Sequence, residues 1–368
     1  MGNNTTKHTV LTGNARNAEG IAGNSIDLVV TSPPYPMIQM WDESFCVQNP
    51  QIKAALTANQ GERAFELMHR ELDKVWADIG RVLRPGGIVC INIGDATRTI
   101  KENFRLYNNH ARILHSFLQL GFSNLPNIIW RKQTNAPNKF MGSGMLPAGA
   151  YVTLEHEWIL IFRKEGKRLF KTSDEKEKRR QSSFFWEERN TWFSDLWTLK
   201  GVRQVSNNKE ARDRSAAYPF DLPYRLINMY SLKGDTIYDP FLGTGTTIIA
   251  ALACERNSIG MEIEDAFSNI TASRIENLKM DEINRIIKDR MINHQLFVLS
   301  NQREFNHYNT ALKVRVVTSQ ETGISFSYLK ALIKTGAHSY EVSYQIVQDQ
   351  EDVSLVETMN KMQGALDL

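Results

Sequence analysis

The sequence predicts an α/β protein built on a doubly wound, mostly parallel sheet. Apolar segments of strand length alternate along the chain with amphipathic segments of helix length, which is the pattern of strand–helix–strand units. Two strand-like segments end in loops of special composition, one containing Pro33-Pro34 and the other Gly243 and Gly245. Helices cover both faces of such a sheet, so its strands are expected to be apolar throughout.

The first strands follow from short apolar runs. A strand is predicted over 9–15, and a second over Ile26 to Val30 leads directly into Pro33-Pro34. Proline has no N–H for a sheet ladder, so this strand must stop and give way to a rigid loop. Open α/β sheets bind their ligands at the carboxyl ends of strands. The loop is therefore a candidate site.

A long amphipathic helix is predicted over 62–83. Its apolar residues recur at spacings of three and four, and Pro85-Gly86-Gly87 ends the pattern. The apolar run 88–93 is then a central strand, and the spacing around 113–118 predicts a further helix. Two more strand-like runs follow at 127–130 and 158–162.

A second informative loop lies about two hundred positions further along. A predicted strand ends at Asp239, Gly243 and Gly245 follow, and 248–253 is helix-like. Glycine has no Cβ, so backbone N–H groups can approach a ligand closely at such a turn. The next strand ends in Glu262, where a carboxylate can accept hydrogen bonds from ribose hydroxyls. This pattern indicates a nucleotide-type cofactor.

Together, the Ser32-Pro33-Pro34-Tyr35 loop and the Asp239-Pro240-Phe241-Leu242-Gly243-Thr244-Gly245 turn resemble the S-adenosylmethionine-dependent DNA methyltransferases that modify exocyclic amino groups. The resemblance covers roughly residues 9–280. The catalytic loop precedes the cofactor turn, which is the β-group order of that family. Serine ahead of the prolines is more similar to the cytosine-N4 enzymes, whereas aspartate is more usual in the adenine-N6 enzymes.

The resemblance implies a Rossmann-like methyltransferase sheet with an antiparallel edge pair, formed by 127–130 and 158–162, and an inserted recognition region. Cytosine N4 in double-stranded DNA is the implied acceptor, with adenine N6 as the alternative. The implied parts are a catalytic half (1–164), a DNA target recognition region (165–215) and a cofactor-binding half (216–280). Residues 281–368 lie beyond the resemblance and are expected to form a C-terminal α/β extension without an assigned function.

The catalytic residues expected from this loop are Ser32, Pro33, Pro34 and Tyr35. An amino group on a base is a weak nucleophile because its lone pair is delocalised into the ring. Hydrogen bonds from its N–H groups to the Ser32 side chain and the Pro33 carbonyl would localise that pair and absorb developing positive charge. Tyr35 would stack on the base, which must be flipped out of the duplex to reach the loop.

The cofactor residues are expected around the glycine turn. The Asp239 carboxylate would face the methionine amino group, and Phe241 would cover the ligand. By resemblance, Asn14 lies near the adenine edge, where the family often has aspartate, and Phe220 belongs to a segment that closes over the methionine moiety. The full set for S-adenosylmethionine is Asn14, Phe220, Asp239, Phe241, Gly243, Gly245, Thr246 and Glu262.

Composition limits the other classes of protein. The chain of 368 residues has 42% hydrophobic residues and three scattered cysteines, Cys46, Cys90 and Cys254, which form neither a disulfide framework nor a zinc motif. Without a long apolar run or a signal-like start, a cytoplasmic protein without membrane contact is expected. Glu155-His156-Glu157 lacks ligand spacing on a strand, so no metal is expected.

Positive charge is concentrated in the proposed recognition region. The formal net charge is only +3, but Arg163 to Arg214 contains fifteen Lys and Arg against nine Asp and Glu. A solvated mixed-charge face is the alternative to phosphate contact there. The aromatic residues of the same region, Phe184, Phe185, Trp186, Trp192, Phe193 and Trp197, are predicted to pack together as a small core.

Two other functions compete with a methyltransferase. A nicotinamide-dependent oxidoreductase also uses a glycine turn followed by an acid, but the third glycine of that pattern is missing after Gly245. A catalytically silent DNA-binding protein on the same scaffold would be expected to have a damaged loop at Ser32 to Tyr35. The loop is intact, which favours an enzyme, with a cognate restriction endonuclease as a candidate partner.

Overall fold

A computed structural model describes residues 4–132, 141–201, 218–301 and 304–347. Their strands are β1 Thr5–Thr12, β2 Ile26–Thr31, β3 Leu83–Ile93, β4 Ala96–Ile100, β5 Asn103–Tyr107, β6 Ser123–Asn124, β7 Ile128–Lys132, β8 Met141–Gly142, β9 Ala150–Tyr151, β10 His156–Arg163, β11 Leu196–Leu199, β12 Thr236–Asp239, β13 Asn257–Glu262, β14 His307–Asn309, β15 Val314–Val316, β16 Ser327–Gly336 and β17 Ser339–Ile346.

The helices of the same residues are α1 Asp42–Gln48, α2 Pro50–Thr57, α3 Gly61–Val82, α4 Asn109–Gln119, α5 Ser173–Gln181, α6 Trp186–Trp192, α7 Asp221–Tyr230, α8 Thr246–Ala253, α9 Asp265–Glu276 and α10 Met280–Ser300. Short 3-10 helices occur at Gln39–Trp41 and Ser319–Glu321. Within these described residues, none of the helices is long and apolar enough to cross a membrane.

The main sheet has the strand order β11-β7-β10-β3-β2-β12-β13-β1-β17-β16, with β6 beside β10. Its centre, from β3 to β1, is parallel throughout. The carboxyl ends of β2 and β12 therefore lie side by side, although the two strands are far apart in the sequence. This carboxyl edge is the one at which the predicted loops emerge.

Both faces of the sheet are covered, as the doubly wound prediction requires. Side chains alternate along β2, so that Val29 packs with α3 and α4 on one face and Leu28 and Val30 pack with α7 and α8 on the other. The amphipathic pattern over 62–83 is confirmed as helix α3, which ends at Val82 before the backbone becomes extended at Leu83.

The predicted antiparallel pair is confirmed as β7 and β10, but it is not the outermost part of the sheet. Strand β11, within the proposed recognition region, adds to β7 in parallel. Only Trp197 and Leu199 of its four residues are buried. Such a short alternation is too weak to stand out in the sequence.

Strand β1 begins at Thr5, earlier than the predicted strand over 9–15. The prediction missed its first residues because the buried ones among them are polar. Thr6 and His8 are buried and bond to each other, to Tyr344 and to Ser258. Burial lowers the pKa of His8 to about 3, so its ring is neutral. Hydrophobic patterning misses a strand of this kind.

The C-terminal extension continues the central sheet instead of forming a separate body. The hairpin β16–β17 pairs with β1, and α10 packs on β16. Helix α10 also reaches the recognition region, because Arg290 forms a paired salt bridge with Glu188 of α6. The aromatic prediction is partly confirmed there: Phe185, Trp192 and Trp197 are buried, whereas Trp186 and Phe193 are exposed.

The basic helix α5 lies at the opposite edge of the sheet from the predicted loops. Arg168, in the segment leading to α5, bonds to Asp235 and approaches Asp27, which stand at the amino ends of β12 and β2. The side-chain amine of Lys178 lies beside Gly234 at the same edge. The expectation that the 167–180 charges contact phosphate is therefore not supported by their position, and residues 202–215 lie outside the described residues.

Candidate active site

The two predicted loops meet at the carboxyl edge. Because β2 and β12 are parallel neighbours, with Val29 opposite Tyr238, the residues that follow them emerge together. The Thr31 hydroxyl donates a hydrogen bond of 2.6 Å to Oδ1 of Asp239. This bond joins the two strand ends from which the loops start. The juxtaposition that the sequence predicted is present.

One cavity is lined by residues of both loops and of the strand ends beside them. Of the residues predicted from sequence, those lining it are Asn14, Ser32, Pro33, Pro34, Phe241, Gly243, Thr246 and Glu262. Gly13, Tyr218, Leu242 and Thr244 are among the further lining residues. Within the described residues, Tyr35, Phe220, Asp239 and Gly245 are not part of this lining.

Asp239 lies beneath the cavity as the centre of a buried hydrogen-bond network. Besides Thr31, its carboxylate accepts hydrogen bonds from the Thr247 hydroxyl at 2.5 Å, the Phe241 backbone N–H at 3.1 Å and the Tyr218 hydroxyl at 3.3 Å. Burial raises the pKa of this carboxyl, and the hydrogen bonds act in the opposite direction. The network favours a positioning role over the predicted contact with the methionine amino group.

Glu262 holds the glycine turn against the end of β1. Its Oε2 accepts a hydrogen bond from the Gly243 N–H at 2.8 Å, and Oε1 accepts one from the Glu264 N–H at 3.0 Å. Its backbone carbonyl also accepts from the Gly13 N–H. Burial raises the pKa of the carboxyl. Since each oxygen has a further lone pair, the side chain can still accept from a ligand in the cavity.

The two glycines of the turn serve different purposes. Gly243 has a positive φ of 52° and lines the cavity, where a Cβ would meet nothing within 4 Å. At Gly245, with φ 81°, a Cβ would lie 2.4 Å from Cγ2 of Thr271. Gly245 is thus required by helix packing at the start of α8 rather than by the cavity.

Two resemblance-based positions differ in outcome. Asn14 lines the cavity, and its side-chain oxygen accepts a hydrogen bond from the Arg16 N–H at 3.1 Å. Phe220 instead stacks on Tyr224, with ring centroids 5.3 Å apart. Tyr218, two residues earlier, is the member of that segment that lines the cavity.

The Ser-Pro-Pro-Tyr loop is tied to a buried carboxylate that sequence reasoning missed. The Tyr35 hydroxyl donates to Oε2 of Glu157 at 2.9 Å and lies 3.1 Å from Oγ of Ser32. The Asn92 amide donates to both the Tyr35 hydroxyl and Glu157, at 2.8 and 2.6 Å. Lys132 forms a salt bridge with the other carboxylate oxygen of Glu157.

The sequence carries a signal for Glu157 that does not depend on a metal. Glu157 begins the apolar run of β10 and is 9% exposed. A buried acid at the start of an apolar strand requires hydrogen-bonding partners. In the described part of the chain, no group of three metal-ligating side chains has the arrangement to hold an ion.

A family model described as DNA methylase matches residues 26–273, which include both the Ser-Pro-Pro-Tyr loop and the glycine turn. The chain belongs to the DNA methylase family. A relative from Methanothermobacter thermautotrophicus, the Type II methyltransferase M.MthZI, is 50% identical over 94% of this chain and 98% of its own length. M.MjaI from Methanocaldococcus jannaschii is 47% identical over 74% of this DNA methylase and 92% of its own length.

Solved structures agree with the fold. TTHA0409 from Thermus thermophilus, described as a DNA modification methylase and solved with S-adenosyl-L-methionine, is 30% identical with a TM-score of 0.56 and covers 73% of this chain and 94% of its own. The cytosine-N4-specific PvuII DNA methyltransferase has a TM-score of 0.50 at 17% identity, covering 77% and 93%. The predicted family and the Rossmann-like methyltransferase fold are confirmed.

Proposed function

We propose that this DNA methylase transfers a methyl group from S-adenosylmethionine to the N4 amino group of a cytosine flipped out of duplex DNA. The observation that carries the proposal is a cavity that, in the described part of the chain, is lined by both the Ser-Pro-Pro loop and the glycine turn. A nucleobase bound by one loop and a methyl donor bound by the other are then held in contact. Such alignment supplies about 7–11 kcal/mol of barrier reduction in favourable cases.

S-adenosylmethionine is the methyl donor, and the donor set of the cavity fits it. The molecule supplies an activated methyl group when bound. We assign its ribose hydroxyls to the remaining acceptor capacity of Glu262, which is buried at the cavity wall. Asn14 offers an amide for the adenine edge, and the Phe241 ring offers an apolar cover. Asp239 acts on the site through Thr31 and the Phe241 N–H.

The target amino group is assigned to Ser32 and Pro33. The Ser32 hydroxyl oxygen and the Pro33 carbonyl accept its two N–H groups, which localises the nitrogen lone pair and stabilises the positive charge that develops during transfer. Both residues line the cavity. Pro33 and Pro34 fix the backbone that carries these acceptors, because their rings restrict φ.

Cytosine is preferred over adenine in this proposal because serine, rather than aspartate, precedes the two prolines. Adenine N6 is the second candidate, since both amino groups make the same demand on the loop and differ mainly in the size of the base. The Tyr35 ring is the assigned stacking partner for either base. Its anchored hydroxyl fixes the plane of the ring.

Duplex DNA must approach the carboxyl edge for the base to enter the cavity. Unstacking and unpairing the base cost roughly a few kcal/mol, which phosphate contacts must offset. We assign such a phosphate contact to Lys200. This side chain is exposed and directly follows β11 at the carboxyl edge. The names of M.MthZI and M.MjaI as Type II methyltransferases support a restriction-modification system with an endonuclease that cuts the same site.

Product analysis tests the proposal. DNA incubated with the purified protein and isotopically labelled S-adenosylmethionine is digested to nucleosides, which are separated and identified by mass. The proposal expects label in N4-methylcytosine. Label in N6-methyladenine would show that adenine is the acceptor, and the proposed site would still stand. Unlabelled DNA from protein that binds both S-adenosylmethionine and DNA would refute the transfer reaction.

A further inference from the structure

We propose that Glu157 sets the direction of the hydroxyl proton of Ser32, acting through Tyr35, so that the Ser32 oxygen faces the target base as a hydrogen-bond acceptor. This inference rests on the proposed function and concerns a positioning residue for the same site. The carrying observation is the hydrogen-bonded series Ser32–Tyr35–Glu157, completed by Asn92 and Lys132.

Counting protons fixes the direction of the series. The Tyr35 hydroxyl has a single proton, and an ionised carboxylate can only accept, so this proton is committed to Oε2 of Glu157. The contact between Ser32 and Tyr35 is 3.1 Å, and one of the two hydroxyls must donate. With the Tyr35 proton used, the donor is Ser32. The lone pairs of Oγ on Ser32 are then left for the cavity.

Two further groups hold the carboxylate of Glu157 in place. Lys132 pairs with the other oxygen, and the Asn92 amide donates to the same oxygen as Tyr35. Asn92 also donates to the Tyr35 hydroxyl, so that this hydroxyl receives two donors and has its own proton directed at Glu157. The donors of this network therefore bond to Glu157 either directly or through the Tyr35 hydroxyl.

The backbone directly after β3 packs closely against the ring of Tyr35. A Cβ on Gly94 would lie 3.0 Å from Cε2 of Tyr35. Burial and the charge of Glu157 raise the pKa of Tyr35 well above its ordinary value. The phenol thus keeps its proton at neutral pH.

The polarity of Ser32 matters because a free hydroxyl proton would oppose the reaction. A Ser32 proton that pointed into the cavity would face the N–H groups of the target amino group, donor against donor. With Glu157 present that orientation is excluded, and no rearrangement is needed when the base arrives. Pro33 needs no such control, since its carbonyl is an acceptor only.

Glu157→Gln is the direct test, because it keeps the shape of the side chain but can reverse the direction of the hydrogen bonds along Ser32, Tyr35 and residue 157. A glutamine amide can donate to the Tyr35 hydroxyl, which then donates to Ser32 and frees the Ser32 proton to enter the cavity. We expect kcat to fall at least about tenfold, less than the 10²–10³ loss typical when a direct charge-stabilising contact is removed. The dissociation constants for S-adenosylmethionine and for duplex DNA should stay within about twofold.

Two further variants separate orientation from folding. Tyr35→Phe interrupts the series, so adding Glu157→Gln to it should cause no additional loss of kcat, whereas independent structural damage would add. Glu155→Gln, at a partly exposed neighbour paired with Arg131, is the matched control and should leave kcat unchanged. If Glu157→Gln fails to fold, Glu157→Asp replaces it. The loss of kcat in Glu157→Asp is then compared with and without Tyr35→Phe in the same way.

The outcomes distinguish this inference from the function itself. If the wild-type protein methylates DNA and Glu157→Gln retains full kcat, Glu157 does not orient Ser32. Losses that add in the double variant would refute it as well. If the wild-type protein forms no methylated nucleoside, the proposed function fails and not the orientation of Ser32 alone.

Discussion

Thr31 and Asp239 are joined by a hydrogen bond of 2.6 Å across 208 positions of sequence. Thr31 ends the strand that carries the Ser-Pro-Pro loop, and Asp239 ends the strand that carries the glycine turn. Both side chains are buried. The two halves of the site are thus linked directly beneath the cavity, so a disturbance of either residue should reach the other half.

The hydrogen-bond network of Asp239 predicts that replacing Asp239 and replacing Thr31 have different effects on stability and cofactor binding. Asp239→Ala removes the acceptor shared by the Thr31 hydroxyl, the Phe241 N–H and the mutually bonded hydroxyls of Thr247 and Tyr218, and should destabilise the fold and weaken S-adenosylmethionine binding. Thr31→Val keeps the Phe241 bond, so it should cost about 1–3 kcal/mol of unfolding free energy with nearly normal binding. Denaturant unfolding and calorimetric titration measure both quantities. Normal cofactor affinity in Asp239→Ala would show that Asp239 does not position the residues that bind the cofactor.

Glu262 predicts a pH-dependent affinity for the cofactor. Its ionised form accepts the Gly243 and Glu264 N–H groups, and burial raises its pKa, so protonation begins at a higher pH than for an ordinary glutamate. Affinity should therefore fall as the pH is lowered through that raised pKa. In Glu262→Gln one amide hydrogen must oppose a backbone N–H, so binding at neutral pH should weaken about tenfold or more.

The pH series supplies its own control for Glu262. Glu262→Gln should lose the acid-side fall in affinity as well as the affinity itself, because the amide does not titrate. Asp265→Asn removes an exposed acid at the start of α9 and should retain the wild-type curve. A wild-type pH curve in Glu262→Gln would show that another group binds the ribose.

The position of α5 predicts that its charges are dispensable for DNA binding. Lys176 and Arg179 are exposed on a helix at the amino edge, away from the cavity. Replacing both with glutamine should change the dissociation constant for duplex DNA by less than about twofold and leave its salt dependence unchanged. Lys200→Gln, at the carboxyl edge, should weaken binding and reduce the salt slope. The reverse result would place the DNA on the other edge.

The pair Arg290–Glu188 predicts how strongly the C-terminal extension supports the recognition region. Both side chains are largely buried, and Arg290 also contacts the Tyr224 hydroxyl and lies over the Trp192 ring at 5.1 Å. Arg290→Ala leaves the Glu188 charge buried without its partner and should cost about 3–5 kcal/mol. The double variant Arg290→Met/Glu188→Gln should cost clearly less in urea unfolding. Equal losses would mean that the pair is not coupled.

Sequence reasoning predicted the centre of the fold well because both of its signals are local. The apolar run of β2 and the three-and-four spacing of α3 are short-range patterns, and the Pro-Pro and glycine loops mark strand ends directly. Their meeting followed from one general rule about the carboxyl ends of parallel strands. These features required no knowledge of distant contacts.

The remaining features depend on contacts that the sequence does not display. Glu157 accepts a hydrogen bond from Tyr35, 122 positions away, and the strand β1 begins with buried polar residues whose partners come from β13 and β17. The positive charge of α5 can be read from the sequence, but the edge of the sheet at which this helix lies cannot. Phe220 and Gly245 were expected at the cofactor, and tertiary packing places each against protein instead.

The most direct test of the account is turnover by Ser32→Ala at saturating DNA, measured with labelled S-adenosylmethionine alongside calorimetric cofactor binding. Loss of the acceptor oxygen should lower kcat by about 10²–10³-fold, as for other charge-stabilising contacts, while the cofactor dissociation constant stays within about twofold. Unchanged turnover by Ser32→Ala would contradict the claim that the target amino group is held at this loop.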